Sequence, residues 1–355
     1  MKRIIIVTGL VLAVSIWFYF SGVGEQEQIT RQIISPTVIT PKKPVPSDIS
    51  QTMVFIPYWN IPSEEDFSGY DTLIYFGVTP DNEGALKKDT GFSGLETFVT
   101  HTSPTKKRYL TVRMLDTATN IDILENQSAQ ASLIEKLSEL SVQHHLEGVV
   151  LDLEMSVIPF SDTQKDISHF VTRMADQLHK RNLELMVTIY GDTFYRSRPY
   201  DVSLLGDKAD RILIMAYDFH KSRGEPGPNF PFDRKGEYDF KQMVQDFSQH
   251  VDAEKLTVVF GMYGYDWTLG EQGLPLKTAN AIPLHEIESD IIPGCTGDCI
   301  ISTDKASQET KVTYSDPEGY DHVMWFENEA SVEVKKEYLE EQGIGSIGYW
   351  VWGYF

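Results

Sequence analysis

The stretch EGVVLDLE at residues 147–154 decides the fold, because it has the pattern of a buried strand that ends in two acids. Residues two apart in a strand share a face, so Val150, Asp152 and Glu154 point one way and the intervening aliphatic residues point the other way. A strand that is apolar on both faces is typical of a parallel sheet covered by helices. The stretch therefore predicts an α/β fold.

Seven further runs rich in β-branched and aromatic residues repeat this pattern, and helical periodicity fills many of the gaps between them. The other strand candidates are residues 53–59, 72–78, 108–115, 183–190, 211–217, 256–263 and 346–352. The helix candidates are residues 129–144, 165–181, 240–250 and 330–342. Eight such units predict a (β/α)8 TIM barrel. A doubly wound sheet is the alternative, but no glycine-rich phosphate loop follows the first strand.

One connection is too long for a simple loop. It separates the seventh strand candidate from the helix that starts near Ala330 and contains glycine, proline and both cysteines. Structureless loops of this length are uncommon, so we predict a small inserted α+β subdomain at residues 268–327. Because it follows the C-terminal end of a strand, the subdomain is expected beside the mouth of the barrel.

The two acids of the fourth strand are candidates for catalysis. They end the strand at the face where barrels carry active sites. Crowding two carboxylates raises the pKa of one of them, which then suits a general acid, and Glu154 is nearer the opening than Asp152. The alternatives are a buried structural pair of carboxylates or a strand end that reaches solvent.

Aromatic and acidic residues also collect at the ends of other strands. Such a surface suits sugar rings, whose apolar faces stack on aromatic rings while their hydroxyls contact polar groups. Taken singly, each aromatic residue is better explained as core, and only their repeated placement at one end of the barrel favours a binding site. The candidate substrate-binding residues are Tyr58, Met215, Tyr217, Asp218, Tyr263, Tyr265, Trp267 and Trp350.

With these motifs in this order, the chain resembles glycoside hydrolase family 18, the chitinase-like barrels, over residues 53–353. The family signature D-G-x-D-x-D-x-E is matched at Asp152 and Glu154, while Glu147 and Val150 replace its first and middle Asp. The M-x-Y-D motif is matched at residues 215–218 and the eighth-strand tryptophan at Trp350. YDFH at 217–220, followed by EPGP at 225–228, is most similar to the bacterial branch of spore-cortex and peptidoglycan-lytic enzymes.

The resemblance implies retaining hydrolysis assisted by the substrate. Glu154 would protonate the glycosidic oxygen while the N-acetyl carbonyl of the sugar attacks the anomeric carbon. Asp152 and Tyr217 would hold the acetamido group, Asp218 would hold the substrate, and Trp350 would form the floor beneath the sugar. The implied substrate is a polysaccharide containing N-acetylglucosamine, either peptidoglycan or chitin, and no cofactor or metal is implied.

The change at Val150 has a consequence for Asp152. Valine cannot partner the neighbouring acid as the family's middle Asp does, so we expect Asp152 to be held differently. A non-catalytic carbohydrate-binding protein on the same barrel is the alternative function. The presence of Glu154 together with Asp152 favours the enzyme.

Composition and the N-terminal segment bear on partners and location. A formal net charge of −21 argues against nucleic acid, whereas neutral sugars are unaffected by it. Lys2 and Arg3 precede an apolar run at residues 4–20. This pattern predicts either a cleaved export signal or an uncleaved membrane anchor within residues 1–24, with a buried helix as the third alternative. Residues 25–50 are expected to form a proline-rich linker, and residues 51–355 an extracytoplasmic, monomeric barrel.

The two cysteines, Cys295 and Cys299, are only four residues apart. In an exported protein they could close a short disulfide. Two free thiols, or half of a metal site without visible partners, are the other interpretations.

Overall fold

Eight parallel strands close into a barrel, which confirms the predicted fold. The structure is a computed structural model that describes residues 48–63, 67–155 and 161–355. The barrel strands are β1 (Gln51–Pro57), β2 (Thr72–Val78), β3 (Lys107–Met114), β4 (Gly148–Leu153), β5 (Glu184–Tyr190), β6 (Arg211–Ala216), β7 (Leu256–Gly261) and β13 (Ser346–Trp350). Around the barrel they follow the order β1-β13-β7-β6-β5-β4-β3-β2.

Helices lie between these strands, and several begin at an aspartate. Asp89, Asp116, Asp201 and Asp239 each accept a hydrogen bond from a backbone N–H of the first turn, which satisfies a donor that has no partner within the helix. The helices are α1 (Thr90–His101), α2 (Thr117–Glu125), α3 (Gln127–Gln143), α4 (Ser161–His179), α5 (Val202–Lys208), α6 (Phe240–Ser248) and α7 (Glu329–Glu341). Single 3-10 turns occur at Ala253–Lys255 and Glu271–Gly273.

The predicted alternation in β4 is present. Val149 and Leu151 belong to the core between the strands and the helices. Val150 belongs instead to the cluster inside the barrel, together with Tyr109 and Met186. On the inward face of β4, Val150 is thus followed by Asp152 and Glu154 toward the C-terminal end of the barrel. The two acids lie between this apolar cluster and the barrel opening.

An inserted antiparallel sheet follows β7, but it starts earlier than predicted. Its five strands are β8 (Tyr263–Leu269), β9 (Asn280–Pro283), β10 (Ile300–Thr303), β11 (Thr310–Ser315) and β12 (Asp321–Phe326), and helical turns at Leu284–Glu286, Ile287–Ile291 and Ile292–Gly294 follow β9. Their order in the sheet is β10-β11-β12-β8-β9. The insertion begins at Tyr263 rather than at Thr268, because β7 and β8 are almost continuous in sequence and their apolar pattern hides the boundary.

The predicted N-terminal signal or anchor and most of the linker lie outside the described residues. Within residues 48–63, 67–155 and 161–355, no helix combines the length and apolar character needed to cross a membrane.

Candidate active site

A cavity of about 380 Å³ opens at the C-terminal end of the barrel, beside the inserted sheet. Most of the predicted site residues line it, and it joins aromatic rings to acids. The lining residues are Phe55, Trp59, Phe76, Arg113, Leu115, Asp152, Glu154, Thr188, Met215, Tyr217, Asp218, Tyr263, Tyr265, Ala281, Trp350 and Tyr354.

Asp152 is 3% exposed and is held by a neighbour on β5. The hydroxyl of Thr188 donates to Oδ1 of Asp152 over 2.6 Å. Burial raises the pKa of Asp152 to about 7, and repulsion from Glu154 acts in the same direction. The hydrogen bond from Thr188 and the charge of Arg113 act against this rise. Val150 belongs to the apolar cluster inside the barrel and cannot form a hydrogen bond with Asp152. Thr188 supplies this hydrogen bond instead.

Glu154 follows the last residue of β4 and is fixed through both its backbone and its side chain. Its N–H donates to the carbonyl of Met114 over 2.9 Å, and its carbonyl accepts from Nδ2 of Asn120 over 3.0 Å. Oε2 accepts from the hydroxyl of Tyr190 over 2.5 Å. These contacts to β3, α2 and β5 hold the carboxyl group at the cavity surface.

Tyr217 and Trp350 form an aromatic wall of the cavity. Their rings stack with centroids 6.3 Å apart and planes 23° apart. The rings of Phe55 and Phe76 meet Trp350 edge-on, at 5.6 and 4.6 Å, and so fix its plane. Burial raises the pKa of Tyr217 well above its ordinary value, and the nearby acids add to the effect. The phenol therefore stays neutral and available as a hydrogen-bond donor.

Asp218 adopts a left-handed backbone conformation, with φ of 57°, which aspartate tolerates better than most residues. Its Oδ1 accepts from the hydroxyls of Tyr263 and Tyr265, the latter over 2.8 Å. Its N–H donates to Oδ1 of Asn229 over 2.8 Å. The two predicted tyrosines of the insertion thus line the cavity and also orient this acid.

A buried ionic network supports the loop that carries Asp218. The backbone N–H groups of Asn229 and Phe230 donate to the carboxylate of Glu309 over 2.5 and 2.7 Å. The ammonium of Lys335 lies 3.2 Å from Glu309 and 2.5 Å from Glu327. Burial raises the pKa of Glu327 to about 7, while Lys335 acts in the opposite direction. The network joins the cavity wall to the insertion and to α7.

Two predicted binding residues do not line the cavity. Trp267 is 0% exposed and packs inside the inserted sheet, 5.6 Å from the ring of Tyr265. It lies on the same face of β8 as Tyr265, but there its ring is buried in a cluster with Ala279, Val323 and Trp325. Tyr58 packs against the hydrophobic core, and its neighbour Trp59, which is 49% exposed, lines the cavity instead. The alternation of inward and outward side chains ends with β1 at Pro57, so it does not predict the direction of Tyr58.

Several residues that lie beside the predicted ones were not predicted from the sequence. Thr188 and Tyr190 are two apart at the end of β5, so the rule applied to β4 identifies them as well. Arg113 is a charged residue near the end of β3, a strand that is largely buried. Trp59 and Tyr354 lie outside the strands, where no periodic signal exists.

No cluster of three or more potential metal ligands occurs in the described parts of the chain. Cys295 and Cys299 are joined by a disulfide bond in the insertion.

Comparisons with known proteins agree with this geometry. Residues 51–354 match the family described as glycosyl hydrolases family 18. Over 232 residues the chain is 26% identical to YdhD of Bacillus subtilis, named as a sporulation-specific glycosylase, covering 64% of this chain and 52% of YdhD. Over 296 residues it is 25% identical to the cortical fragment-lytic enzyme of Bacillus anthracis, covering 78% of this chain and 64% of that enzyme.

The chain thus spans about half to two thirds of the length of these curated relatives. Among solved structures, the Group IV chitinase of Ostrinia furnacalis superposes with a TM-score of 0.73 at 17% identity, over 86% of this chain and 93% of the chitinase. At this identity the likeness shows the shared fold.

Proposed function

The chain belongs to the glycosyl hydrolases of family 18, and on that premise we propose that it is a retaining glycosidase that cleaves glycans containing N-acetylglucosamine. The observation that carries the proposal is one cavity lined by Asp152, Glu154, Tyr217 and Trp350. It combines two crowded carboxyl groups with an aromatic wall of the kind that sugar rings use.

Glu154 is the general acid and base of the proposed reaction. It protonates the glycosidic oxygen as the bond to the anomeric carbon breaks, and the carbonyl oxygen of the sugar's own N-acetyl group forms the new bond. The product of this step is an oxazolinium ion. Glu154, now a carboxylate, takes a proton from the water that attacks the anomeric carbon, and the acetamido group is released.

Asp152 and Tyr217 position the acetamido group. The high pKa of Asp152 lets this acid keep a proton up to about neutral pH, so the crowded pair need not carry two negative charges. The neutral phenol of Tyr217 donates to the acetamido oxygen, and Trp350 packs beneath the sugar ring. Asp218, oriented by two tyrosines, accepts from sugar hydroxyls.

Peptidoglycan is the proposed polymer, with chitin as the second candidate. The support is the likeness to relatives named for sporulation and for cortical fragments. Export or tethering to the membrane through residues 1–24 follows from the charged and apolar pattern of that segment. The disulfide between Cys295 and Cys299 agrees with an oxidising compartment.

Product analysis tests this function. The purified full chain is incubated with peptidoglycan and with chitin oligomers, and soluble products are identified by mass spectrometry. We expect muropeptides cut at N-acetylglucosamine, and a Glu154→Gln variant that binds glycan without releasing product. Intact binding with no product from the wild-type chain would identify a carbohydrate-binding protein instead.

A further inference from the structure

Arg113 is a cation in the wall of a cavity proposed to bind sugars. It lies near the end of β3, opposite Asp152 in the register of β3 and β4, and it lines the cavity. The guanidinium carbon lies 4.7 Å from the ring centroid of Phe76 and 5.2 Å from that of Tyr58. These two rings hold the side chain in place, because a guanidinium is attracted to aromatic faces.

The hydrogen-bonding capacity of Arg113 is unused by the described parts of the chain. Its Nε is buried without a hydrogen-bond partner, and within the described residues the side chain contacts the two rings and interacts through its charge with Asp152. Asp152, the acid opposite it, takes its hydrogen bond from Thr188 instead. An arginine side chain carries five N–H donors. Leaving them without hydrogen bonds in a partly buried site is unfavourable in free energy unless a ligand accepts from them.

A neutral glycan offers no negative group to pair with this guanidinium. Chitin presents hydroxyl and amide groups, which need no cation, whereas a planar guanidinium matches a carboxylate with two parallel hydrogen bonds. The chain as a whole carries a net charge of −21, so a positive group at this position is not part of a general basic surface.

We infer that Arg113 binds a carboxylate of the substrate and thereby selects an acidic glycan over a neutral one. The inference rests on the proposed function and specifies its substrate. In peptidoglycan such a carboxylate comes from one of two sources. One is the lactyl ether of a muramic acid residue whose peptide has been removed, and the other is the attached peptide itself. If the lactyl group is the source, an amidohydrolase that removes the peptide acts before this enzyme.

Binding measurements separate these sources and do not depend on turnover. The full chain carrying Glu154→Gln is titrated by calorimetry with chitotetraose, with a peptide-free tetrasaccharide of alternating N-acetylglucosamine and N-acetylmuramic acid, and with the same tetrasaccharide bearing its peptides. Arg113→Met, Arg113→Lys and Lys107→Met are compared in this background. Lys107 is exposed at the other end of β3, so its loss removes the same charge away from the cavity.

We expect Arg113→Met to lower the affinity for an acidic tetrasaccharide at least about tenfold more than the affinity for chitotetraose. A factor of this size corresponds to the loss of a charge-assisted hydrogen bond. Arg113→Lys should keep part of the preference for an acidic tetrasaccharide over chitotetraose. Lys107→Met should leave the ratio of these two affinities unchanged. The tetrasaccharide that loses affinity identifies the source of the carboxylate. Equal weakening of all three ligands, or no binding of either acidic one, would overturn the inference. Absence of product from the wild-type chain would instead count against the proposed function.

Discussion

Replacing Thr188 by valine removes the hydroxyl that donates to Asp152 while nearly preserving the volume of the side chain. The pKa of Asp152 is about 7 in the folded protein, above the value of 3.8 for a free carboxyl group. The folded state therefore binds this proton more tightly than the unfolded state. The resulting stability is fully present below about pH 4 and is lost as the pH rises to about 7. Thr188→Val raises the pKa further, so more stability is lost on the alkaline side.

The size of the effect follows from the type of hydrogen bond. At acid pH the bond joins two neutral groups and contributes about 0.5–1.5 kcal/mol, whereas at alkaline pH it joins a hydroxyl to a carboxylate and contributes about 1.5–3 kcal/mol. The difference is about 1 kcal/mol, which corresponds to a rise of nearly one unit in the pKa of Asp152. We therefore expect Thr188→Val to destabilise the protein by about 1 kcal/mol more at pH 9 than at pH 5.

Urea unfolding of the full chain and of Thr188→Val at pH 5 and pH 9 measures this difference. Asp152→Asn is the matched background, because an amide does not titrate and the dependence on pH should largely vanish there. The alkaline limb of kcat/KM should also move to higher pH by nearly one unit in Thr188→Val. An equal loss of stability at both pH values, with an unmoved alkaline limb, would refute the role given to this hydrogen bond.

Three further substitutions, one of them with a matched control, test the site and its support. Tyr190→Phe removes the donor to Glu154, and we expect kcat to fall about 10- to 100-fold with little change in KM, as measured by steady-state kinetics on a soluble oligomer. Trp59→Ala should raise KM for long oligomers about tenfold, since it removes an exposed ring at the cavity edge; an unchanged KM would exclude the ring from binding. Lys335→Met leaves two buried glutamates without their cation and should cost about 3–5 kcal/mol in urea unfolding, whereas Lys336→Met, a change in an exposed pair, should cost under about 1 kcal/mol. Equal losses in the two lysine variants would contradict the network.

Local patterns predicted the barrel and much of its cavity. The strand period is a property of neighbouring residues, so the positions of Asp152 and Glu154 on the inward face of β4 followed from sequence alone. Tyr217 and Trp350 were placed at strand ends in the same way. Because the C-terminal ends of parallel barrel strands meet at one face, these local positions were enough to bring the residues together.

Contacts between side chains on different strands could not be predicted from these local patterns. Thr188 and Arg113 flank Asp152 from two different neighbours, and this depends on the register of three strands, which a single sequence does not display. The error at Trp267 has a related cause, because the alternation of residues on β8 predicts the face of a side chain but not which side chains from elsewhere in the chain bury it, here Ala279, Val323 and Trp325. The boundary at Tyr263 was missed because two strands follow one another without a turn signal.

The anomeric configuration of the first product distinguishes attack by the sugar's own N-acetyl group from direct attack by water. Proton nuclear magnetic resonance follows the full chain as it cleaves an N-acetylated oligomer, before the new reducing end interconverts. Attack by the sugar's own N-acetyl group and then by water inverts the anomeric carbon twice, so we expect the β-anomer. Initial release of the α-anomer would show a single direct attack by water and would contradict the roles given to Asp152 and Glu154.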